Sequence, residues 1–132
     1  MLDTCAILWA FGTGELDEAA AERIEEASRQ DSLLVSPISA WEIGMLVRKG
    51  RIALTKPPEA WFDDVLSAPG VHLAPMEPAV LIASSFLPGV PPNDPADRII
   101  VATARAEGAT LVTRDSLLLR YAQHGHARIL PC

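Results

Sequence analysis

The sequence predicts an α/β domain with a mainly parallel central sheet. Three observations carry that prediction. Short apolar runs of strand character alternate with helix-periodic segments along the chain. Proline and glycine punctuate the joints, with no internal repeat, low-complexity tract or long linker between them. The 132 residues, half of them apolar, suit one domain that buries a single core without disulfide or metal staples.

The elements follow in order. "MLD" opens as a short strand and "AILWAF" continues as a helix. The acidic stretch "ELDEAAAERIEEASRQD" reads as an exposed amphipathic helix with Ala20, Ile24 and Ala27 turned inward. Leu33 to Ser36, "LLVS", is a strand. "PISAWEIGMLVRKG" is a helix with Pro37 near its start and Gly50 as its stop. "PEAWFDDVLSA" is a helix closed by Pro69-Gly70; "VHLAP" is a strand and "PAVLIASSFL" a helix. A helix then runs on from "NDPADR", followed by the strand "ATLVT", the helix "SLLLRYAQ" and a last strand, "ARIL". Crossovers between parallel strands are right-handed, and such sheets bind ligands beyond the carboxyl ends of their strands. Polar residues that directly follow strands are therefore the place to look for chemistry.

The bulk properties narrow the function. No run of about 18 apolar residues exists to span a membrane. The N-terminus lacks the pattern of a signal peptide. Cys5 and Cys132 lie at opposite ends, form no CxxC, and read as free thiols of a cytoplasmic protein. His72, His124 and His126 show no HExxH spacing, and "QHGHAR" reads as a solvated loop rather than a metal site. A net charge of −6 argues against a generic nucleic-acid binder. Basic residues gather in "RKGR", Arg48 to Arg51, and recur at Arg98, Arg105 and Arg114.

Against that background, acids collect at one edge. Asp3 ends the first strand, and Asp115 follows "LVTR" and opens a helix. Glu42 lies in the second turn of its helix and interrupts the apolar face of Ile38 and Met45. Asp97 shares a helix face with Val101 and Ala104, the face that a helix buries. Helices packed on a parallel sheet begin at the carboxyl edge, so all four carboxylates point to one place. Each also has a plainer explanation. Asp3, Asp94 and Asp115 suit helix N-caps, with Pro95 at the first helical position. Glu42 has no capping role, and its plain alternative is an ion pair with Arg98 or Arg114. Crowded carboxylates repel unless cations intervene, and Mg²⁺ or Mn²⁺ with oxygen ligands meets that need. Such ions serve phosphate chemistry. No GxSxG, Walker or GxGxxG motif offers another route.

With these residues in view, the chain resembles PIN-domain ribonucleases, in particular the VapC-type toxins of prokaryotic toxin–antitoxin pairs. The resemblance rests on "LDTCAILW", "VSPISAWEIGMLVRKGRI", "DPADRIIVATA" and "ATLVTRD", in that order and spacing, and covers nearly the whole chain as one PIN domain, residues 1–132. It implies an endoribonuclease dependent on Mg²⁺ or Mn²⁺ that hydrolyses single-stranded or looped RNA. It implies Asp3 and Asp97 as the main metal-facing carboxylates and Glu42 as the acid that completes the pocket. Asp115 matches the fourth acidic position. Asp94 matches the first aspartate of the "DPxDR" variant, a cap first and a metal-site residue second. Thr4 and Thr113 would orient carboxylates or phosphate, and Arg98 and Arg114 would balance the acids or contact RNA. The resemblance further implies a cognate antitoxin covering the pocket, and a homodimer.

Two departures stand out. Only Met1 and Leu2 precede Asp3, where relatives carry a longer first strand. Cys5 stands where relatives often have histidine; a thiol so placed suggests oxidation-sensitive activity. A non-catalytic PIN-like domain that binds RNA or protein is the competing reading. A phosphoacceptor signalling domain is a third, but Lys49 and Lys56 are the only lysines and neither ends a strand.

Overall fold

The structure, a computed structural model, describes residues 1–132. Its helices are α1 (Thr4–Phe11), α2 (Glu18–Arg29), α3 (Pro37–Arg48), α4 (Pro58–Leu66), α5 (Pro78–Ser85), α6 (Pro95–Ala106) and α7 (Ser116–Gln123). Its strands are β1 (Leu33–Val35), β2 (Val71–Leu73), β3 (Leu111–Thr113) and β4 (Ile129–Pro131). The pairs β1–β2 and β3–β4 are both parallel. Leu2 joins them, bridging Val35 on one side and Val112 on the other, also in parallel. The order across the sheet is therefore β2, β1, Leu2, β3, β4.

The expected first strand is thus reduced to a single bridging residue. It is nonetheless hydrogen-bonded on both sides: Leu2 N–H donates to Leu34 O at 2.9 Å, Asp3 N–H to Val112 O at 3.1 Å, and Val112 N–H to Met1 O at 2.8 Å. The chain turns into α1 at once because Asp3 caps that helix, its Oδ1 accepting from Ala6 N–H at 2.6 Å. The last strand also moves, from the expected "ARIL" to Ile129–Pro131. Pro131, which has no N–H to give, is tolerated because β4 is an edge strand.

Along the central strands the residues alternate between two apolar clusters. Leu2, Leu33, Val35 and Val112 face one, together with Ile7, Ile43, Trp61, Phe62 and Val65. Met1 and Leu111 face the other, together with Ile100, Val101, Ala104, Leu118 and Tyr121, and Leu34 and Ile129 pack against it. A period of two along β1, β3, β4 and the Met1–Leu2 segment means helices on both faces, the three-layer arrangement in which parallel strands are buried; at the edge strand β2 only Val71 is buried. The inward face of α2 is as the sequence predicts, with Ala20 buried and Ile24 and Ala27 packed on the core.

Helix boundaries follow the local chemistry. Ser36 caps α3 and Pro37 takes its first position. At the other end Gly50 has φ +65, and Gly50 and Arg51 N–H return to Val47 and Leu46 carbonyls. This is a Schellman stop, which a side chain at Gly50 would strain. α4 is apolar because it is core. α5 is apolar for no such reason: Leu81, Ile82 and Phe86 are exposed, and α5 packs on α6 with only Ser84 fully buried. No helix is long and apolar enough to cross a membrane.

Candidate active site

Asp3, Glu42, Asp94, Asp97 and Asp115 come together at the carboxyl edge of the sheet. Three of them are helix caps, as their plain readings expect. Asp3 caps α1, Asp94 Oδ1 accepts from Ala96 N–H at 2.8 Å, and Asp115 Oδ1 accepts from Leu117 and Leu118 N–H at 2.6 and 3.1 Å. Capping and gathering do not compete here. A helix that starts at the carboxyl edge puts its cap there, and each cap leaves a second oxygen free or available to others.

Asp3 is the most enclosed, at 4 % exposure. Its Oδ2 accepts from the Thr113 hydroxyl at the end of β3. The same Thr113 Oγ1 accepts the Asp115 N–H at 3.0 Å. Glu42 Oε2 lies 2.5 Å from Thr4 Oγ1, and Ser39 Oγ lies 2.9 Å from that hydroxyl. A hydroxyl has one proton; with it on Glu42, Thr4 accepts from Ser39. Thr4 and Thr113 therefore orient carboxylates, as the sequence suggested. Ser39 was not singled out in the sequence. Its position one turn before Glu42 on α3 is the signal that points to it.

Asp97 differs from the others. It is half-buried on α6 and has no hydrogen-bond or ion-pair partner in the chain, its oxygens remaining in reach of solvent. Burial first, then Asp94, Asp115, Glu42 and Asp3, push its carboxyl up to about 7. Burial likewise raises Asp3, with Asp115 adding, while the Thr113 hydroxyl and the Ala6 and Cys5 N–H groups pull it back. Burial raises Glu42 too, helped by Asp94 and Asp3 and opposed by Thr4. The five acids feel one another, and nothing in the chain neutralises them.

The expected arginine counterions are turned elsewhere. Arg98 Nε donates to Pro92 O at 2.7 Å. Arg114 Nε donates to Cys132 O at 3.1 Å, with its guanidinium 3.6 Å from the centre of the Trp9 ring. Neither pairs with Glu42 or any other acid. Backbone carbonyls and an aromatic face hold these cations, although Asp97 and Asp115 are their immediate neighbours in sequence. The lysines are no closer: Lys49 ends α3, and Lys56 pairs with Asp64. A phosphoacceptor site with its strand-end lysine is therefore not built here. Cys5 is exposed beside the cluster, and partial burial of its thiol, with Asp3, Glu42, Asp115 and Asp97, pushes it up to about 11. The thiolate is the reactive form, so this environment opposes the oxidation sensitivity suggested by the sequence.

The donor set suits a hard divalent cation: several carboxylates, no basic partner, and one acid that is hard to ionise alone. No three His, Cys, Asp or Glu side chains form a ready-made ligand cluster.

The comparisons bear on the family and the fold. The PIN domain family model matches residues 1–123. Ribonuclease VapC22 of Mycobacterium tuberculosis is 37% identical over 123 residues, covering 93% of this chain and 88% of the relative. The crystal structure of VapBC2 from Rickettsia felis bound to a DNA fragment from their promoter includes a chain that superimposes with a TM-score of 0.70. That match has 17% identity and covers 99% of this chain and 96% of the other, a likeness of fold. The alternating strands, the acids at the carboxyl edge and the family match converge: the chain belongs to the PIN domain family, in its VapC branch.

Proposed function

We propose that this protein is a Mg²⁺- or Mn²⁺-dependent endoribonuclease that hydrolyses phosphodiester bonds of single-stranded or looped RNA and is silenced by a cognate antitoxin. The observation that carries this reading is Asp97, a half-buried carboxylate without a partner amid four other acids. An uncompensated acid cluster is costly unless something cationic fills it. A relative at 37% identity bears the name Ribonuclease VapC22, which supports the same activity for this chain.

Asp3 and Asp97 would hold the ion, with Asp94 and Asp115 able to add their second oxygens directly or through water. When bound, the ion supplies neutralising charge, polarises the phosphoryl group and lowers the pKa of water. The chain's own residues do the rest. Thr113 keeps Asp3 Oδ2 in place and Thr4 holds Glu42 Oε2, leaving Glu42 Oε1 to orient the attacking water. Single-stranded or looped RNA exposes the backbone that a small edge site can reach.

An antitoxin that brings a basic side chain to Asp97 would neutralise the same cluster. Beside the C-terminal half of α1 a cavity of about 710 Å³, lined in part by Trp9, Phe11, Ile52, Leu54 and Trp61, offers an apolar seat for another part of such a partner. The exposed Leu81, Ile82 and Phe86 of α5 suit a homodimer contact. The two free thiols suit a reducing cytoplasm.

The test is cleavage of a labelled single-stranded RNA panel by antitoxin-free protein with Mg²⁺, Mn²⁺ or chelator, beside Asp97→Asn. Metal-dependent cutting that disappears in the variant supports the proposal. RNA binding with no cutting under any cation would instead favour the non-catalytic PIN-like domain.

A further inference from the structure

The loop between α7 and β4 carries His124 and His126, which the acid cluster leaves unused. A cleft of about 480 Å³ opens there, lined among others by Asn93, Asp94, Arg120, Tyr121, His124 and His126. Pockets that take a small ligand run from about 300 to 1,000 Å³. The His124 and His126 rings stack with centroids 6.2 Å apart and planes within 12°, and Tyr121 lies 5.1 Å from His126. This shelf is fixed from several sides. Arg105 donates to His126 O, and Tyr121 Oη donates to Pro88 O at 2.8 Å. His124 Nδ1 lies 3.2 Å from Arg120 O, leaving its Nε2 free. Gly89, at φ +70, lets the opposite loop close on His126: a Cβ there would fall 2.4 Å from Nε2.

Charge marks the same region. The whole chain carries −6, yet residues 98–132 hold five arginines against only Glu107 and Asp115. Arg120 lines the cleft, Arg98 and Arg105 donate to the carbonyls of its lining residues Pro92 and His126, and none of the three is in an ion pair. Asp94 lines the cleft and also caps α6, the helix that carries Asp97 one turn on. The cleft thus begins where the acid cluster ends.

We infer that this cleft is a nucleotide subsite: a base of single-stranded RNA stacks on the His124–His126 shelf, which the buried Tyr121 backs, while Arg120 takes a flanking phosphate, seating the strand beside the acids. The inference deepens the ribonuclease reading and rests on it for its role, but the binding itself is separable. Stacked rings with an arginine at the side are the means by which single strands are held without sequence readout. Asn93, on the facing loop, is placed to meet a base edge. The local positive charge also answers how an acidic chain attracts RNA at all.

The test uses the full chain without antitoxin, in chelator, with a single-stranded oligouridylate carrying a photo-crosslinkable uridine analogue. Adducts mapped by mass spectrometry are expected within residues 120–126. With Mg²⁺ or Mn²⁺ present, Arg120→Ala combined with His124→Ala raises KM about 10-fold or more with little change in kcat. Leu117→Trp, an exposed cleft position, has the same effect by filling the space. Adducts confined to other surfaces, or an unchanged KM in both variants, would overturn the inference while leaving the nuclease intact. If the parent cuts nothing, the ribonuclease reading fails, and the position of the adducts still decides whether the cleft holds a nucleotide.

Discussion

Thr113 Oγ1 donates to Asp3 Oδ2, tying the end of β3 to a residue 110 positions earlier. The same oxygen accepts the Asp115 N–H, so one hydroxyl positions two edge acids. Thr113→Val keeps the side-chain shape and removes both bonds. We expect divalent-cation affinity or cleavage to fall about 10- to 100-fold, as when a residue behind a metal ligand is lost. Calorimetric titration and a melting curve check it together. An unchanged affinity with a lower Tm would mean that Thr113 is only structural.

Thr4 plays the matching part for Glu42. Its hydroxyl is the influence that draws the Glu42 carboxyl down against burial and against Asp94 and Asp3. In Thr4→Val the Glu42 pKa rises further. The acid limb of the pH–rate profile then moves to higher pH, and the rate at neutral pH drops about 10-fold. A uniformly lower rate with no movement of that limb would contradict this role.

Asp97 makes stability depend on pH in a direction opposite to that of salt-bridged acids. Its carboxyl titrates at about 7 in the folded chain, against about 3.9 when unfolded. Above both values each state is ionised, and the folded chain bears the cost of an unpaired charge. As pH falls from about 7 towards about 4, the folded chain binds a proton that the unfolded chain does not, so stability rises. Asp3 and Glu42, also raised, add in the same sense. Metal-free protein should melt higher at about pH 5.5 than at about pH 8, and Asp97→Asn should flatten that slope while raising the Tm at the higher pH. Identical slopes in parent and variant would refute the assignment.

Most of the fold was legible because its signals are local. Pro37 and Pro95 at first helical turns, Asp94 and Asp115 as caps and Gly50 as a stop mark the ends of α3, α6 and α7 within one or two residues. Three edge acids were legible for the same reason, since Asp3 and Asp115 follow strands and Asp97 lies in the first turn of a helix; Glu42 was legible as a carboxylate interrupting the apolar face of α3. What was not legible is non-local. Nothing near Met1 says that Leu2 alone would join two pairs of strands, since its partners Val35 and Val112 lie far along the chain. Nothing near Arg98 or Arg114 says that they would turn to carbonyls instead of Glu42. The histidines of "QHGHAR" read as a solvated loop because their stacking depends on Tyr121 and on the close approach of Gly89.

Leu2 is the cheapest place to test the packing. It is fully buried and stands between the two halves of the sheet. Leu2→Ala leaves the backbone bridge possible but empties the centre of a core cluster, which should cost about 2–5 kcal/mol. Urea unfolding measures it. A loss below about 1 kcal/mol would mean that the site collapses without a cavity, and that Leu2 is not the keystone of the sheet.

The central claim is that Asp97 faces a divalent cation. Titration of Mn²⁺ into antitoxin-free protein at about pH 7, in two buffers of different ionisation heat, tests it most directly. Saturable binding that releases protons is expected, because the ion ionises a carboxyl whose pKa is pushed up to about 7. Asp97→Asn should abolish both the binding and the proton release. Equal affinity and equal proton release in the two proteins would contradict the claim.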